Sequence, residues 1–547
     1  MSNDDEFDDF ESAVDLGYEL KGFMLNDVST PIADTRTNAK SPHGRSRHSS
    51  VSSFLDIRPL NFALEPTSFI RESIEEERYV SLDTDQPPAT LGLYHAVSLV
   101  IGCIIGSGIF ASPGPVLAGA GSIGATFIVW ILSGIISAFG ARCYAELGRR
   151  FPYSGGEPVY LEKAYGESIA FLYEWSAVFG FRPGGHAIVL IVFADYLSRA
   201  LFTEEQHDAS ISGYLWQKGI AVAGITIISI IHAVSLKFGH WTQSAFTIIK
   251  LASVAAIASV GLAVLVGFSK SPLHLSGQLH QNWFENTNPD LSGWGLAFYS
   301  ALFAYDGYNS VNYVAGELKR PERDLPRAIV IGLSAVCVCY LLVNLAYLAV
   351  IPKDVLSTSA ALALEFSHRV FGKSGGIITA LAVAISAFGA AIGSVFTGSR
   401  LIHAAASRGH LPSLLGQLHP KRMTPVWALL FQHVLTCIYI FSGTFTSLVK
   451  VFGFQVWIYY GLCAFAVWRL RKSPKNSRRD LILDILRYWW LWIFLTAVCG
   501  LLVISVWMEW MVIISAFFVN LSGIAVWEIV LSKNRANSGT LLLSSCL

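Results

Sequence analysis

Apolar and polar residues are segregated along this chain in blocks as long as a membrane is thick. Residues 1–90 hold no sustained apolar run. They open with Asp4-Asp5-Glu6-Phe7-Asp8-Asp9-Phe10-Glu11, pass through the Ser/Arg-rich stretch Ser41–Ser53, and end near Pro87-Pro88. A segment so polar cannot bury enough apolar surface to offset the entropy of ordering it, and it reads as a disordered tail. From Leu91 the texture changes to apolar runs of roughly 20 residues separated by short polar loops. The runs predict helices over 93–118, 122–147, 168–198, 218–236, 243–267, 292–314, 327–350, 376–402, 425–442, 447–469, 489–506 and 511–531. Each is long enough to cross a hydrocarbon core of about 30 Å at 1.5 Å per residue. The expected fold is therefore an all-α membrane protein of about twelve transmembrane helices, with a tail at 1–90, a transmembrane domain at 91–531 and a C-terminal tail at 532–547.

Composition agrees. The 547 residues are 53% hydrophobic and 14% charged, against roughly 25% charged in soluble domains. Fifteen Trp and twenty Tyr suit interfacial belts. Lys plus Arg and Asp plus Glu balance at 39 each, so no basic field points to a nucleic-acid partner. Residues 1–90 lack the early apolar core of a signal peptide, so the first membrane helix is expected to direct insertion. Loop charge predicts orientation. Arg149, Arg150, Lys163, Lys237, Lys319, Arg320, Arg323, Arg327, Arg408, Lys421, Arg422, Arg471, Lys472, Lys475, Arg478 and Arg479 fall on the side of the N-terminus. The opposite loops hold mainly Arg199, Lys270, Lys353, Arg369 and Lys373. The positive-inside rule then places both termini in the cytoplasm. Seven cysteines lie inside apolar stretches and Cys546 lies in the tail, so no structural disulfide is expected.

Two apolar segments are interrupted, at Ile104-Ile105-Gly106-Ser107-Gly108-Ile109-Phe110 in helix 1 and at Phe303-Ala304-Tyr305-Asp306-Gly307-Tyr308-Asn309 in helix 6. Breaks at corresponding places in two halves mark the site of a carrier built from inverted repeats. Gly106 and Gly108 let the backbone leave helical geometry at low steric cost. The opened turn exposes amides and carbonyls that a ligand bearing a carboxylate and an ammonium satisfies. The dipole of the half-helix that begins at Ser107 and Gly108 favours the anion. A Gly-x-Gly packing motif for a tight helix crossing is the alternative. Asp306 at mid-membrane costs at least about 2.5 kcal/mol, so it is expected to face a cavity and to pair with a substrate ammonium, a proton or a lysine. An interfacial position is the bland alternative. Lys250 lies one turn into helix 5, and its spacing alone favours snorkelling to the surface. The charged segments 318–327 and 399–412 are positive-inside loops that could also close a gate through salt bridges. No GxxxxGK[ST] segment, metal cluster or nucleophile–base pair stands out. Neither an ATPase nor another enzyme is expected, and no cofactor.

Gly106-Ser107-Gly108-Ile109-Phe110, with Cys143-Tyr144-Ala145-Glu146-Leu147-Gly148 and Ser154-Gly155-Gly156-Glu157, resembles the L-type amino acid transporters of the amino acid–polyamine–organocation superfamily. Further matches follow in the same order: Arg182-Pro183, Gln243 to Lys250, Leu302 to Asn309, Asn344-Leu345-Ala346-Tyr347, Phe396 to Leu401, and Gly409-His410-Leu411-Pro412. The resemblance spans about residues 90–470, and the acidic tail looks like the fungal branch that includes methionine permeases. It implies a LeuT-type fold of five plus five inverted helices with two added. It implies that the amides of Gly106, Ser107 and Gly108 hold a substrate carboxylate, and that the carbonyls of Ile104, Phe303 and Asp306 hold its amino group. Asn309 joins this candidate substrate site, and Phe303 stands at the family's aromatic gate. Lys250 matches a helix 5 lysine whose ammonium takes the place of a sodium ion, which reverses the snorkelling reading, and Ser394 matches a position lining the same spot.

The implied function is sodium-independent, alternating-access transport of L-amino acids, neutral ones such as methionine foremost, at the plasma membrane. Asp306 replaces the small residue of the large-neutral type and resembles the light subunit that carries cystine and basic amino acids. Tyr308 stands where Trp is usual, and the proline-rich pattern expected after helix 10 is faint around Arg478–Arg487. The loop Leu201–Asp208 lacks the cysteine that links metazoan light subunits to a glycoprotein, so no obligate disulfide-linked heavy chain is expected. Lys21 and Lys40 are candidate ubiquitin acceptors and Ser50 a candidate phosphosite, which would bring ubiquitin-ligase machinery and kinases to the tail. A sensor that binds an amino acid without moving it is the rival from another class.

Overall fold

The computed structural model describes residues 91–151, 155–202, 211–234, 237–266, 282–359, 361–470, 488–508 and 510–531. The tail with Lys21, Lys40 and Ser50, the loop 203–210 and the C-terminal tail lie outside the described residues. Among those described, eight helices are long and apolar enough to span a membrane and four shorter ones are equally apolar, twelve in all. No strand longer than an isolated bridge occurs among them.

The first element, α1, runs Leu93–Ile104 and resumes, beyond a break, as Gly108–Ala111 and Pro113–Ala120. Ser112 keeps helical dihedrals, so these last two runs are one half-helix. It ends at Gly121 in the left-handed region (φ 80°), whose amide donates to Leu117 O. α2 is Ile123–Arg150, capped by Ser122 Oγ, which accepts from the Ala125 amide. α3 is Glu167–Ser176 and Arg182–Leu201 joined by a π-turn at Ala177–Phe181. α4 is Ile211–Val234 and α5 Lys237–Leu265. α6 is Leu291–Ala304, then a break, then the 3₁₀ stretch Ser310–Glu317. α7 is Pro321–Val350, with Pro321 at its start where a missing N–H costs nothing. α8 is Leu362–Ser407, α9 Val426–Ser442 and α10 Phe445–Arg469. α11 is Trp489–Met508, and α12 is Trp510–Val526 ending in a π-turn at Trp527–Leu531.

The predicted helices therefore recur, with corrections. Helix 3 recurs as one span, with a π-turn at Ala177–Phe181 ahead of Arg182-Pro183, where Pro183 supplies no donor. Helix 8, predicted from 376, is preceded by a further helix that begins at Leu362, and the two meet at a kink at Gly372 (φ 73°). The connecting helices Glu157–Tyr165 and Lys353–Thr358 were not predicted, being too short and polar to stand out.

Helix pairings come in sets related by a shift of five. α1–α7 answers to α6–α2, α5–α8 to α10–α3, α5–α7 to α10–α2, α1–α5 to α6–α10, and α3–α4 to α8–α9; α2–α7, α3–α8 and α4–α9 answer to themselves. Five crossings reverse direction, so the two halves are inverted repeats. α11 packs on α6 and α10, and α12 on α10 and the first half of α3. Large apolar side chains such as Ile131, Ile230, Val330, Ile378, Ile438 and Phe518 face outward, which suits lipid and not water.

Candidate functional site

Each break strands backbone groups, and their replacement partners build the site. An unbroken α1 would bond Gly102 O to the Gly106 amide and Ile104 O to the Gly108 amide. Ile105 instead turns to extended geometry (φ −73°, ψ 92°). Lys250 Nζ then donates to Gly102 O at 2.9 Å. The Tyr340 hydroxyl of α7 stands 3.0 Å from Ile104 O and 2.9 Å from Ala304 O, the last carbonyls of the first halves of α1 and α6. One phenol thus serves both breaks. The displaced amides of Gly106, Ser107 and Gly108 make no hydrogen bond among the described residues. The Ser107 hydroxyl is buried and likewise unpartnered.

The breaks face each other across a cavity of about 140 Å³. A cavity of about 150 Å³ admits a molecule the size of benzene, so this one takes a small ligand and not an oligomer. Ile104, Gly106, Ser107, Gly108, Phe303, Asp306, Asn309 and Ser394 all line it. Lys250 does not; it is wholly buried behind Gly102, which excludes the snorkelling placement. Phe303 packs edge-on against Phe445 and Phe452. Phe303 O accepts from the Asp306 amide at 3.2 Å and Ile104 O from Tyr340, which leaves each a lone pair.

The two readings of Gly-x-Gly prove compatible. A Cβ on Gly108 would lie 2.5 Å from Ala304 Cα, so this glycine also permits the close crossing of the broken helices. On Gly106 a Cβ would meet only Ala390 Cβ, at 3.3 Å. Asp306 lines the cavity, and its Oδ1 accepts from the Tyr460 hydroxyl of α10 at 2.5 Å. Asn309 Nδ2 donates to Glu157 Oε1 at 2.5 Å. Arg182 Nη2 donates to the Tyr313 hydroxyl at 2.6 Å, which in turn meets the Tyr173 hydroxyl at 3.0 Å. Glu157, Arg182, Tyr313, Tyr340 and Tyr460 received no role from the sequence. The available signal was a charge, Arg182, inside an apolar run. The tyrosines gave none.

Residues of the segment 399–412 make polar contacts with α3 and α6. Arg400 Nη1 lies 3.7 Å from Glu317 Oε1 at the end of α6. His410 lies between Glu174 (2.5 Å) and Glu167 (3.2 Å) of α3. Leu91 pairs its backbone with Glu317 and Lys319, tying the entry of α1 to the exit of α6.

Two inverted five-helix repeats, an apolar exterior and a small-molecule cavity held between paired helix breaks define a membrane carrier. The family model described as amino acid permease matches residues 91–531. The chain belongs to that family. It is 37% identical over 421 residues to the b(0,+)-type amino acid transporter 1 of Mus musculus, covering 76% of this chain and 84% of that one. The human b(0,+)-type amino acid transporter 1 is 36% identical over 75% of this chain and 82% of its own. The large neutral amino acids transporter small subunit 2 of Mus musculus is 35% identical over 80% of each.

Proposed function

We propose that this chain moves L-amino acids across the plasma membrane by alternating access, without sodium, with both termini in the cytoplasm. The observation that carries the reading is the facing of two helix breaks across one small cavity, with unspent amide donors of Gly106, Ser107 and Gly108 beside the carbonyls of Ile104 and Phe303. Donors and acceptors so arranged fit the carboxylate and ammonium shared by every amino acid, and leave the remaining cavity to the side chain. Neutral substrates such as methionine are the leading class, and the acidic tail supports the fungal methionine-permease branch. Asp306 in the cavity supports a second reading, an exchanger of cystine or basic amino acids for neutral ones. One relative is named a small subunit. For this chain, the absence of cysteine from Leu201–Asp208 supports function without a disulfide-linked heavy chain.

The test is uptake of radiolabelled methionine by the purified chain alone in proteoliposomes, with methionine, leucine, arginine and cystine as competitors. Accumulation or exchange is expected, with methionine and leucine competing best. Preferential competition by arginine and cystine would select the exchanger. Binding without accumulation or exchange would select a sensor and sink the transport reading.

A further inference from the structure

α2 and α7 leave a groove between them on the apolar exterior. A Cβ on Gly134 of α2 would meet Cys337 Sγ of α7 at 3.2 Å, and one on Gly148 would meet Leu325 at 3.0 Å, so the two helices run antiparallel. The groove extends from Trp130 to Arg142 on α2 and from Ile329 to Leu341 on α7, about 18 Å on each at 1.5 Å per residue. That is close to one leaflet of a hydrocarbon core about 30 Å thick. Its volume is about 360 Å³, and it shares no lining residue with the cavity between the breaks. On α2 the outward stripe is Ile131, Ile135, Ala138 and Arg142, all exposed. On α7 it is Val330, Ser334, Cys337 and Leu341. Spacings of three and four keep each set on one helix face. Tyr305 of the α6 break lines the bottom of the groove and packs against Trp130 and Tyr340.

The walls are apolar, but one end is cationic. The Arg142 guanidinium lies 4.7 Å from the centre of the Trp490 ring. Glu146, one turn on, is taken up by Arg149 and Arg150. Arg327 is exposed and stands one turn before Val330 on the same face of α7. No acidic side chain pairs with Arg142 or Arg327 among the described residues. A cation within a membrane span is costly unless it reaches a counter-ion or the headgroup layer. A free anion would satisfy the arginines and leave the apolar slot unfilled. A lipid with a phosphate and an acyl chain matches both parts of the groove.

We propose that this groove binds an anionic phospholipid, with one acyl chain along α2 and α7 and the phosphate at Arg142 and Arg327. The orientation proposed above puts that end in the cytoplasmic leaflet, where anionic lipids collect. The acyl chain then lies on Tyr305, which abuts Tyr340, the phenol that serves both breaks.

Binding is tested on the full chain, stripped of lipid in detergent, by native mass spectrometry with dioleoyl phosphatidylserine and dioleoyl phosphatidylcholine. One phosphatidylserine is expected to bind saturably and about fivefold or more tighter than phosphatidylcholine, the factor that one arginine near an anionic headgroup supplies. Arg142→Gln is expected to weaken phosphatidylserine about fivefold and phosphatidylcholine little. Ala138→Trp fills the groove and is expected to abolish the bound lipid. A phosphatidylserine with a diazirine on its acyl chain is expected to label peptides 130–142 and 329–341, which decides the matter if Ala138→Trp does not fold. Equal affinity of the parent for the two lipids overturns the proposal. So does unchanged phosphatidylserine affinity in Arg142→Gln, or labelling spread evenly over the lipid-facing helices. Labelling of these peptides by a sterol probe but not by the phosphatidylserine probe gives the groove another occupant and overturns it too. Each of these readouts is binding, so it stands or falls apart from the transport reading.

Discussion

A methyl group at Gly108 has nowhere to go, because its nearest neighbour at 2.5 Å is the backbone Cα of Ala304, which cannot swing aside. Gly108→Ala is therefore expected to lower thermal stability by overpacking, at about 1–3 kcal/mol. Gly106→Ala, facing a methyl at 3.3 Å, should stay near the parent. Melting of both variants in detergent checks this, and equal midpoints would show that the crossing is looser than drawn. Asp306 is a different kind of position, since its side chain reaches the cavity and is held by Tyr460. Removing its charge in Asp306→Gly should weaken arginine and cystine as competitors while sparing leucine and methionine. An unchanged competition profile would leave this carboxylate with the task of holding the break through Tyr460.

A broken helix in a membrane survives when other elements take up its stranded carbonyls, because a buried unpaired group costs about 1–3 kcal/mol. α7 and α5 perform that service for α1 and α6. Tyr340→Phe should destabilise, since it strands Ile104 O and Ala304 O together. Tyr347, two turns along the same helix, has a buried hydroxyl with no partner, so Tyr347→Phe should be neutral or stabilising. A thermal-shift comparison of the two variants reads this directly; equal losses would mean that Tyr340 contributes bulk and not hydrogen bonds. Lys250→Ala removes the cation from Gly102 O, and Lys250 does not itself line the cavity. It should depress maximal transport rate more than apparent affinity, with and without sodium. Strict sodium dependence of the parent would remove the lysine from its proposed role in place of an ion.

The two halves meet at both ends of the molecule as well as at its middle. Leu91 ahead of α1 pairs its backbone with Glu317 and Lys319 after α6 on one side, and on the other the Tyr196 hydroxyl of α3 accepts from the Ala363 amide of α8 while donating to Phe110 O at 3.0 Å. Alternating access requires such ties to open in turn. Residues 1–90 are too polar to form a packed core. Deleting residues 1–85 is expected to leave the transport rate per molecule unchanged and to alter turnover at the cell surface. Counting surface molecules against uptake separates the two, and a lower intrinsic rate would assign the tail a part in the cycle.

The number and places of the membrane helices were legible in the sequence because they depend on local composition alone: an apolar run of about 20 residues has no alternative to crossing the bilayer as a helix. The two breaks were legible for the same reason, since Gly106-Ser107-Gly108 and Asp306-Gly307 contradict their surroundings without reference to any neighbour. What Lys250 and Asp306 touch was not legible. One turn into a helix, a lysine is free to snorkel or to dive, and only the packing of α5 on α1 gives it the carbonyl of Gly102. The tertiary structure alone brings Tyr340 to two carbonyls 200 residues apart in the chain, and Glu157 from a polar connecting helix to the cavity wall. A hydrogen bond between distant segments leaves no mark on the composition of either, so these partners were fixed only when the helices packed.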